Sequence, residues 1–327
     1  MLRPFIITDI GLLSAYKHQA LFLHNQAQLA QGQGALMRSA LLSPLSTLTG
    51  TFTYVSVPAG DGRALIGQAV HRAGSPLAYC TFFAPESALS SPAFAELLEQ
   101  LLQRVGERGA QSLVAEVEEG SPALAALRQA GFSIYARQRV WRVAKIKQTT
   151  RAASDWRPVF SRDEMALQLL CGKLLPGQVQ QIEATNSVAP DGYVFYSNGD
   201  LLAYVEVMRG RHGIWVQPFV DLDAEPFDQL FAELIAKLRP RTSRPLYICL
   251  RSYQDWLEEV LQDFDAVPGL RQAVMAKRIA LPLKVEEARR APAANRRAEP
   301  TTPIHVPPPK RGHEPEWMTY DQTSNHR

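Results

Sequence analysis

The sequence predicts an α/β protein of two tandem halves, each a mixed sheet with an antiparallel arm and a central βαβ unit. Three observations carry that prediction. In each half, strand-like runs on short turns give way to a helix of three-and-four spacing and then to another strand. The apolar positions of the first such helix, Phe94, Leu97, Leu98, Leu101, Leu102 and Val105, recur at Phe227, Leu230, Phe231, Leu234, Ile235 and Leu238, displaced by 133 residues. The order of elements around the two helices is also the same.

RPFII from Arg3 reads as the first strand, and residues 12–29, dominated by Ala, Gln and Leu, as a weakly patterned helix. Residues 35–49 are mixed and carry Pro44. TFTYVSV from Thr51, RALIGQAVH from Arg63 and LAYCTFF from Leu77 are strands, joined by PAGDG and RAGSP, which hold the Gly, Pro and Asp of hairpin turns. The amphipathic helix follows, with Ser91 suited to its N-cap, Pro92 to its first position, and Gly106 and Gly109 to its exit. SLVAEV from Ser112 is the next strand, and a strand-helix-strand crossover places its two strands parallel.

SPALAALRQAGFSIYARQRVWRV, from Ser121 to Val143, then combines a capped helix, a stop and a strand. Ser121 caps, Pro122 starts, Leu124 and Leu127 share one side, and Gly131 ends the helix in the left-handed conformation. Isolated helices below roughly 12 residues are not stable in water, so this short helix must rest on the sheet.

The second half repeats the series. WRPVF from Trp156 is a strand, and residues 163–183 are helical with an interruption near Pro176 and Gly177. GYVFY from Gly192, LLAYVEVM from Leu201 and IWVQPFV from Ile214 are strands before the second amphipathic helix. LYICL from Leu246, a helix around Trp256 to Leu261 and AVMAKRIAL from Ala273 complete it. The expected organisation is a first domain over 1–144, a linker over 145–155, a second and more diverged domain over 156–284, and a disordered tail over 285–327. The tail is rich in Arg, Glu, Pro and Ala and cannot bury enough apolar area to offset ordering entropy.

Composition narrows the function classes. The chain has 327 residues with 46% hydrophobic and 20% charged side chains, which fits two globular domains. A net charge of +3 gives no reason to expect a nucleic-acid partner. Cys80, Cys171 and Cys249 are too far apart for a CxxC metal or redox pair, so buried thiols in a reducing compartment are expected. The start, MLRPFIITDI, has neither the pattern of a secretory signal nor that of a membrane span, which points to the cytoplasm.

The helix and turn in SPALAALRQAGF, with the crossover helix before it, resemble the GNAT superfamily of N-acyltransferases, whose corresponding segment reads Asn-Pro-Ala…Gly-Phe. The match covers about residues 77–143; over 156–283 the resemblance rests on element order. It implies an acyl-CoA-dependent N-acyltransferase, with acetyl-CoA or another acyl-CoA as co-substrate and a small-molecule or protein amine as acceptor. In the family, acetyl-CoA lies between the central parallel strands. That frame puts pantetheine beside Tyr79 to Phe83 and Ala115 to Glu118. It makes Phe82, Phe83, Ser90 and Ser91 the candidate cofactor-binding residues, the serines replacing part of the phosphate grip.

Two departures stand against activity. The family's Gln/Arg-x-x-Gly-x-Gly/Ala loop falls on Leu89, Pro92 and Phe94 in the first half and on Leu222, Glu225 and Phe227 in the second. Pro92 lacks a donor, Phe94 adds bulk and Glu225 adds negative charge. The position that often carries the family's acidic Tyr holds Leu127; aligning Phe264 with Phe132 puts Glu259 there in the second half and Asp263 at the glycine. No catalytic residue is designated.

Other polar residues have two readings each. Glu116, Glu118 and Glu119 could reach an amine pocket or simply end a strand. His71 and His212 could be substrate-facing bases or surface residues, and Cys80 could face a thioester or pack. His18 and His24 lie about 240° apart on an ideal helix and do not form a ligand face. Arg137, Gln138, Arg139 and Arg142 could neutralise an acidic group or solvate the sheet. The other function class is a non-catalytic GNAT-like module that binds a ligand or protein through the same cleft, with Trp317, Met318 and Tyr320 of the tail as a possible protein anchor.

Overall fold

The computed structural model describes residues 1–57, 63–143, 155–183, 192–238, 240–241 and 243–280. The PAGDG turn, the expected linker up to residue 154 and the expected tail lie outside the described residues.

The first half contains β1 (Leu2–Pro4), α1 (Ile10–Ala15), β2 (Leu21–Phe22), α2 (Asn25–Gln31), α3 (Gln33–Arg38), α4 (Ser46–Thr49), β3 (Thr51–Ser56), β4 (Leu65–His71), β5 (Leu77–Ala84), α5 (Pro92–Gly106), β6 (Ser112–Glu118), α6 (Pro122–Gln129) and β7 (Ser133–Val143). The second contains β8 (Arg157–Pro158), α7 (Glu164–Leu174), α8 (Gly177–Ile182), β9 (Gly192–Ser197), β10 (Asp200–Arg209), β11 (Ile214–Val220), α9 (Phe227–Leu238), β12 (Leu246–Arg251), α10 (Leu257–Gln262) and β13 (Val267–Arg278).

All strands join one sheet of order β1-β3-β4-β5-β6-β13-β7-β12-β11-β10-β9-β8, with β2 on the edge of β5. The order is palindromic: from either edge it meets an antiparallel arm, then a parallel pair, β5 with β6 or β11 with β12. At the centre the two halves exchange strands. β13 pairs antiparallel with β6, from Gln272 opposite Glu118 to Arg278 opposite Ser112, and on its other edge with β7. β7 in turn pairs with β12, from Arg251 opposite Gln138 to Leu246 opposite Val143. Each half completes the other's sheet, and Met1–Pro282 is one compact unit.

The amphipathic helices seat as their spacing predicts. Phe94, Leu97, Leu98, Leu101, Leu102 and Val105 are all buried, and α5 packs on β3 and β4. Burial of such side chains contributes about 1.5–3 kcal/mol each. Gly67 of β4 permits the close approach, because a Cβ there would lie 2.3 Å from Leu97 Cδ2. On α9, Leu230, Phe231, Leu234, Ile235 and Leu238 are buried in the same manner.

Both ends of α6 follow the sequence. Ser121 Oγ accepts a hydrogen bond from Ala123 N at 3.2 Å, and Gly131 has φ +89°. In the second half the left-handed residue is Asp265, with φ 52°, and Ala266 N donates to Leu261 O as Phe132 N donates to Leu127 O. The equivalent of Leu127 is therefore Leu261. The alignment through Phe264, which put Glu259 at the acid position and Asp263 at the glycine, is two residues out of register. An aspartate tolerates the left-handed conformation that marks the helix stop, so no glycine announces it.

The helix expected over 12–29 is replaced by α1, β2 and α2, because Leu21 and Phe22 pair with the edge of β5. The two halves also begin alike. Arg3 makes two hydrogen bonds to Asp9 at 2.6 and 2.7 Å, and Arg157 two to Asp163 at 2.7 and 2.6 Å. Ile6 N and Phe160 N donate to the same carboxylates. RPFIITD and RPVFSRD are one repeated device that clamps the first strand to the following turn.

Candidate functional site

In a splayed sheet the place for a strand-like ligand is the gap where the central parallel strands diverge, since their facing backbone groups are otherwise unpaired. In the first half β5 and β6 pair only from Leu77–Tyr79 to Ser112–Val114, and a register shift in β5 leaves Thr81 bulged against β4. The chain itself fills the gap. Leu21 and Phe22 pair with Phe83 and Phe82, Leu23 N donates to Thr81 O at 3.1 Å, and Glu116 N donates to Leu23 O at 2.9 Å. Glu86 N donates to Gln19 O at 2.8 Å, and the Leu23 side chain is fully buried.

Of the four expected cofactor residues, Phe82 and Phe83 lie along this filled gap. Phe82 and Phe83 are fully buried, and the Phe83 ring meets Phe94 edge-on at 5.0 Å. Ser90 is exposed. Ser91 occupies the N-cap position of α5, but its hydroxyl donates to Ala88 O at 2.7 Å instead of accepting from the helix. Cys80 is fully buried among apolar residues, and burial pushes its thiol far above the ordinary range.

The second half differs. β11 and β12 are parallel over Ile214–Val216 and Leu246–Ile248. Among the described residues, no segment pairs with the edge of β11 beyond Val216, and one side chain, Gln254, bridges the strand ends by donating to Val220 O at 2.8 Å. Ile214 N donates to Pro245 O on the β12 side. By strand alternation Pro218 also directs its backbone toward the gap, where it supplies a carbonyl but no N–H.

On the sheet face opposite α5, α6, α9 and α10, polar side chains from both halves converge. Asn25, at the start of α2, donates through its backbone N to Glu116 Oε2 at 2.7 Å and through Nδ2 to Gln272 Oε1 at 2.8 Å. Gln138 Nε2 donates to the same Gln272 oxygen, and the Cys249 thiol donates to Gln138 Oε1 at 3.3 Å. Gln26 Nε2 donates to Glu206 Oε1 at 3.2 Å. His24 stacks on Tyr79 with 4.4 Å between centroids. Glu183 Oε1 accepts from Tyr135 OH at 2.6 Å and from Arg251 Nη2 at 2.8 Å.

The electrostatics follow from burial. Desolvation raises the Glu206 carboxyl above the usual carboxylate range, against the opposing bond from Gln26. It lowers His24, whose two ring nitrogens have no hydrogen-bond partner among the described residues, and so keeps the imidazole neutral. Tyr79 is pushed up by burial and then by Glu183, Glu206 and Glu116. Burial opposes the charge on Arg251, but Glu183 and neighbouring groups outweigh it and hold the guanidinium protonated. Among the described residues, the Nε and Nη1 of Arg251 and the hydroxyl of Tyr253 are buried without a partner.

The structure places the other sequence candidates as follows. Glu116 belongs to this network, where it holds the start of α2. Glu118 is exposed, and Glu119 pairs with Arg137 at 2.7 Å. His71 is buried in the β4–β5 hairpin with Nε2 2.8 Å from Ser75 O. His212 is exposed with its ring against Gly32, Arg139 pairs with Glu258 at 3.0 Å, and Arg142, Glu259 and His18 are exposed. Asn25, Gln26, Glu183, Glu206, Arg251 and Tyr253 were not singled out. Glu206 within LLAYVEVM and Arg251 ending LYICLR were the available signal, each a charge on an otherwise apolar strand. Among the described residues, no group of three His, Cys, Asp or Glu could hold a metal, and no helix is long and apolar enough to cross a membrane.

No family model matches the sequence, and no curated protein matches it. Among solved structures, the GCN5-related N-acetyltransferase from Sphaerobacter thermophilus is similar over 86% of this chain and 96% of its own, at 12% identity and a TM-score of 0.50. The fold is that of the GNAT acetyltransferases. A tandem GNAT protein from the clavulanic acid biosynthesis pathway, solved without AcCoA, matches over 86% of this chain and 99% of its own, at 14% identity and a TM-score of 0.47.

Proposed function

We propose that the protein is an acyl-CoA-dependent N-acyltransferase whose chemistry resides in the second half. The observation that carries this reading is the contrast between the two gaps. Three backbone hydrogen bonds and Leu23 close the first, whereas one side-chain bond from Gln254 spans the second among the described residues. The reading moves the cofactor from Phe82, Phe83, Ser90 and Ser91 to the edge of β11. An acyl thioester in that gap faces the buried polar network on the α2 side.

There Glu206, as the carboxylate, takes a proton from the acceptor ammonium. The free amine attacks the thioester carbonyl, the C–N bond forms, the C–S bond breaks with its electron pair on sulfur, and the second amine proton passes through water to the departing coenzyme A thiolate. Transfer is direct, since Cys249 and Cys80 are protonated, buried thiols.

A specific observation favours the non-catalytic reading. Both acid positions are leucine, Leu127 and Leu261, and Pro218 takes a donor from the remaining gap. Calorimetry of the full chain with acetyl-CoA separates the two. The enzyme reading expects one equivalent bound, with hydrogen-exchange protection in residues 214–220. No saturable binding up to millimolar acetyl-CoA overturns it in favour of a module that binds something else.

A further inference from the structure

Arg251 and Tyr253, two residues apart where β12 ends, hold buried donors without an acceptor among the described residues. Arg251 is 7% exposed, and among the described residues only its Nη2 is bonded, to Glu183. Its Nε and Nη1 and the Tyr253 hydroxyl are buried with no acceptor among the described residues. Buried donors are rarely left without a partner, and a guanidinium loses more than a neutral group when its water is removed. Tyr253 interacts electrostatically with Arg251, and part-buried Tyr253 and Glu183 leave a route to these donors, a pairing suited to an oxygen ligand.

The surroundings define its charge. Glu183 already shares the guanidinium, and Glu206 and Glu116 lie close enough to act electrostatically on Tyr79, as Arg251 does. A dianion such as phosphate meets these carboxylates with one cation to hold it. A single carboxylate matches the free edge of Arg251 and the Tyr253 hydroxyl. A positive group on the same ligand matches the carboxylates. We propose that Arg251 and Tyr253 anchor the carboxylate of a small zwitterion of the amino-acid type, with its ammonium directed toward Glu206. For the ligand's role as acyl acceptor this rests on the acyltransferase reading; its binding does not.

The test uses the full chain without acetyl-CoA. Thermal shift is measured against the twenty proteinogenic L-α-amino acids, the carboxamide of each, and inorganic phosphate. At least one amino acid is expected to raise the unfolding midpoint, with its carboxamide at least tenfold weaker. Tyr253→Phe, which preserves shape and the Arg251–Glu183 pair, is expected to weaken that amino acid by about tenfold, as loss of one bond to a charged group does. Arg251→Lys keeps a cation opposite Glu183 and is expected to weaken it further. The proposal is overturned if no amino acid binds, if carboxamides bind equally, if phosphate binds instead, or if Tyr253→Phe changes nothing. Amino-acid binding without acetyl-CoA binding supports this site and refutes the acyltransferase reading, so the two failures are distinct.

Discussion

The filled gap in the first half predicts that this half does not take up acetyl-CoA, and the structure sets the scale of the effect. A pantetheine arm along β5 must displace Leu21–Leu23, which breaks the bonds Leu23 N to Thr81 O, Glu116 N to Leu23 O and Glu86 N to Gln19 O and uncovers Leu23. Three backbone hydrogen bonds contribute about 0.5–1.5 kcal/mol each. One fully buried leucine adds about 1.5–3 kcal/mol. The opposing free energy is roughly 3–7 kcal/mol, which weakens a ligand about 10²- to 10⁵-fold at about 1.4 kcal/mol per decade. Calorimetry should return one equivalent of acetyl-CoA per chain. Hydrogen exchange should show the Leu23 and Glu116 amides protected, and equally so at saturating cofactor. Leu23→Ala removes part of the barrier, and its protein should lose about 2–5 kcal/mol of stability, the range for a leucine truncated in a core. Two equivalents bound by the wild type, or loss of Leu23 protection on adding acetyl-CoA, would refute the reasoning.

Other predictions follow from the same contacts. Separately expressed 1–144 and 156–284 should each fail to give a soluble, cooperatively folding monomer, because β6 loses β13 and β12 loses β7; sharp independent unfolding transitions would count against this. Glu206→Gln should abolish the acidic limb of kcat/KM, since the wild-type carboxyl must ionise and burial has raised its pKa. A carboxyl that favours its neutral form when folded loses stability as pH rises from the ordinary carboxylate range through its raised pKa, so the same variant should melt higher at neutral pH. His24 has the opposite dependence. Its folded pKa is depressed, so the unfolded chain binds the proton first and stability falls as pH drops below about 6.5. His24→Phe, which retains a ring on Tyr79, should flatten unfolding midpoints measured between pH 5 and 7.

The parts of the fold legible in the sequence were those encoded locally. The spacing on α5 and α9 and the Ser121 and Gly131 signals of α6 each act within a few residues. The parts not legible there depend on distant partners. Ala20 to His24 has helix-compatible composition, and only the open edge of β5 makes it extended. Val267 to Arg271 contains Pro268 and Gly269 and has no apolar rhythm, yet β13 begins at Val267 because β7 is there to receive it. The left-handed Asp265 hid the register of α10, and with it the second leucine at the acid position. The network was missed for the same reason. Asn25, Gln138, Glu206 and Gln272 stand up to 247 residues apart, and nothing in any one segment marks it as facing another.

The strand exchange and the filled gap are connected through one peptide. Leu21–Leu23 occupies the first gap, and the next three residues, His24, Asn25 and Gln26, reach Tyr79, Glu116 and Glu206 on the network face. α2 then ends against the second half's β10–β11 turn, where His212 N donates to Ala30 O at 2.9 Å. Gly210 is required at that contact, because a Cβ there would lie 1.9 Å from Ala30 O. A segment anchored at both ends in this way cannot leave the first gap without withdrawing Gln26 from Glu206. Closure of the first half thus fixes a wall of the second half's polar network. On the proposed function, the half without a cofactor is a positioning device for the acceptor side of the other, and mutations in Leu21–Leu23 should alter acceptor KM before they alter acetyl-CoA affinity.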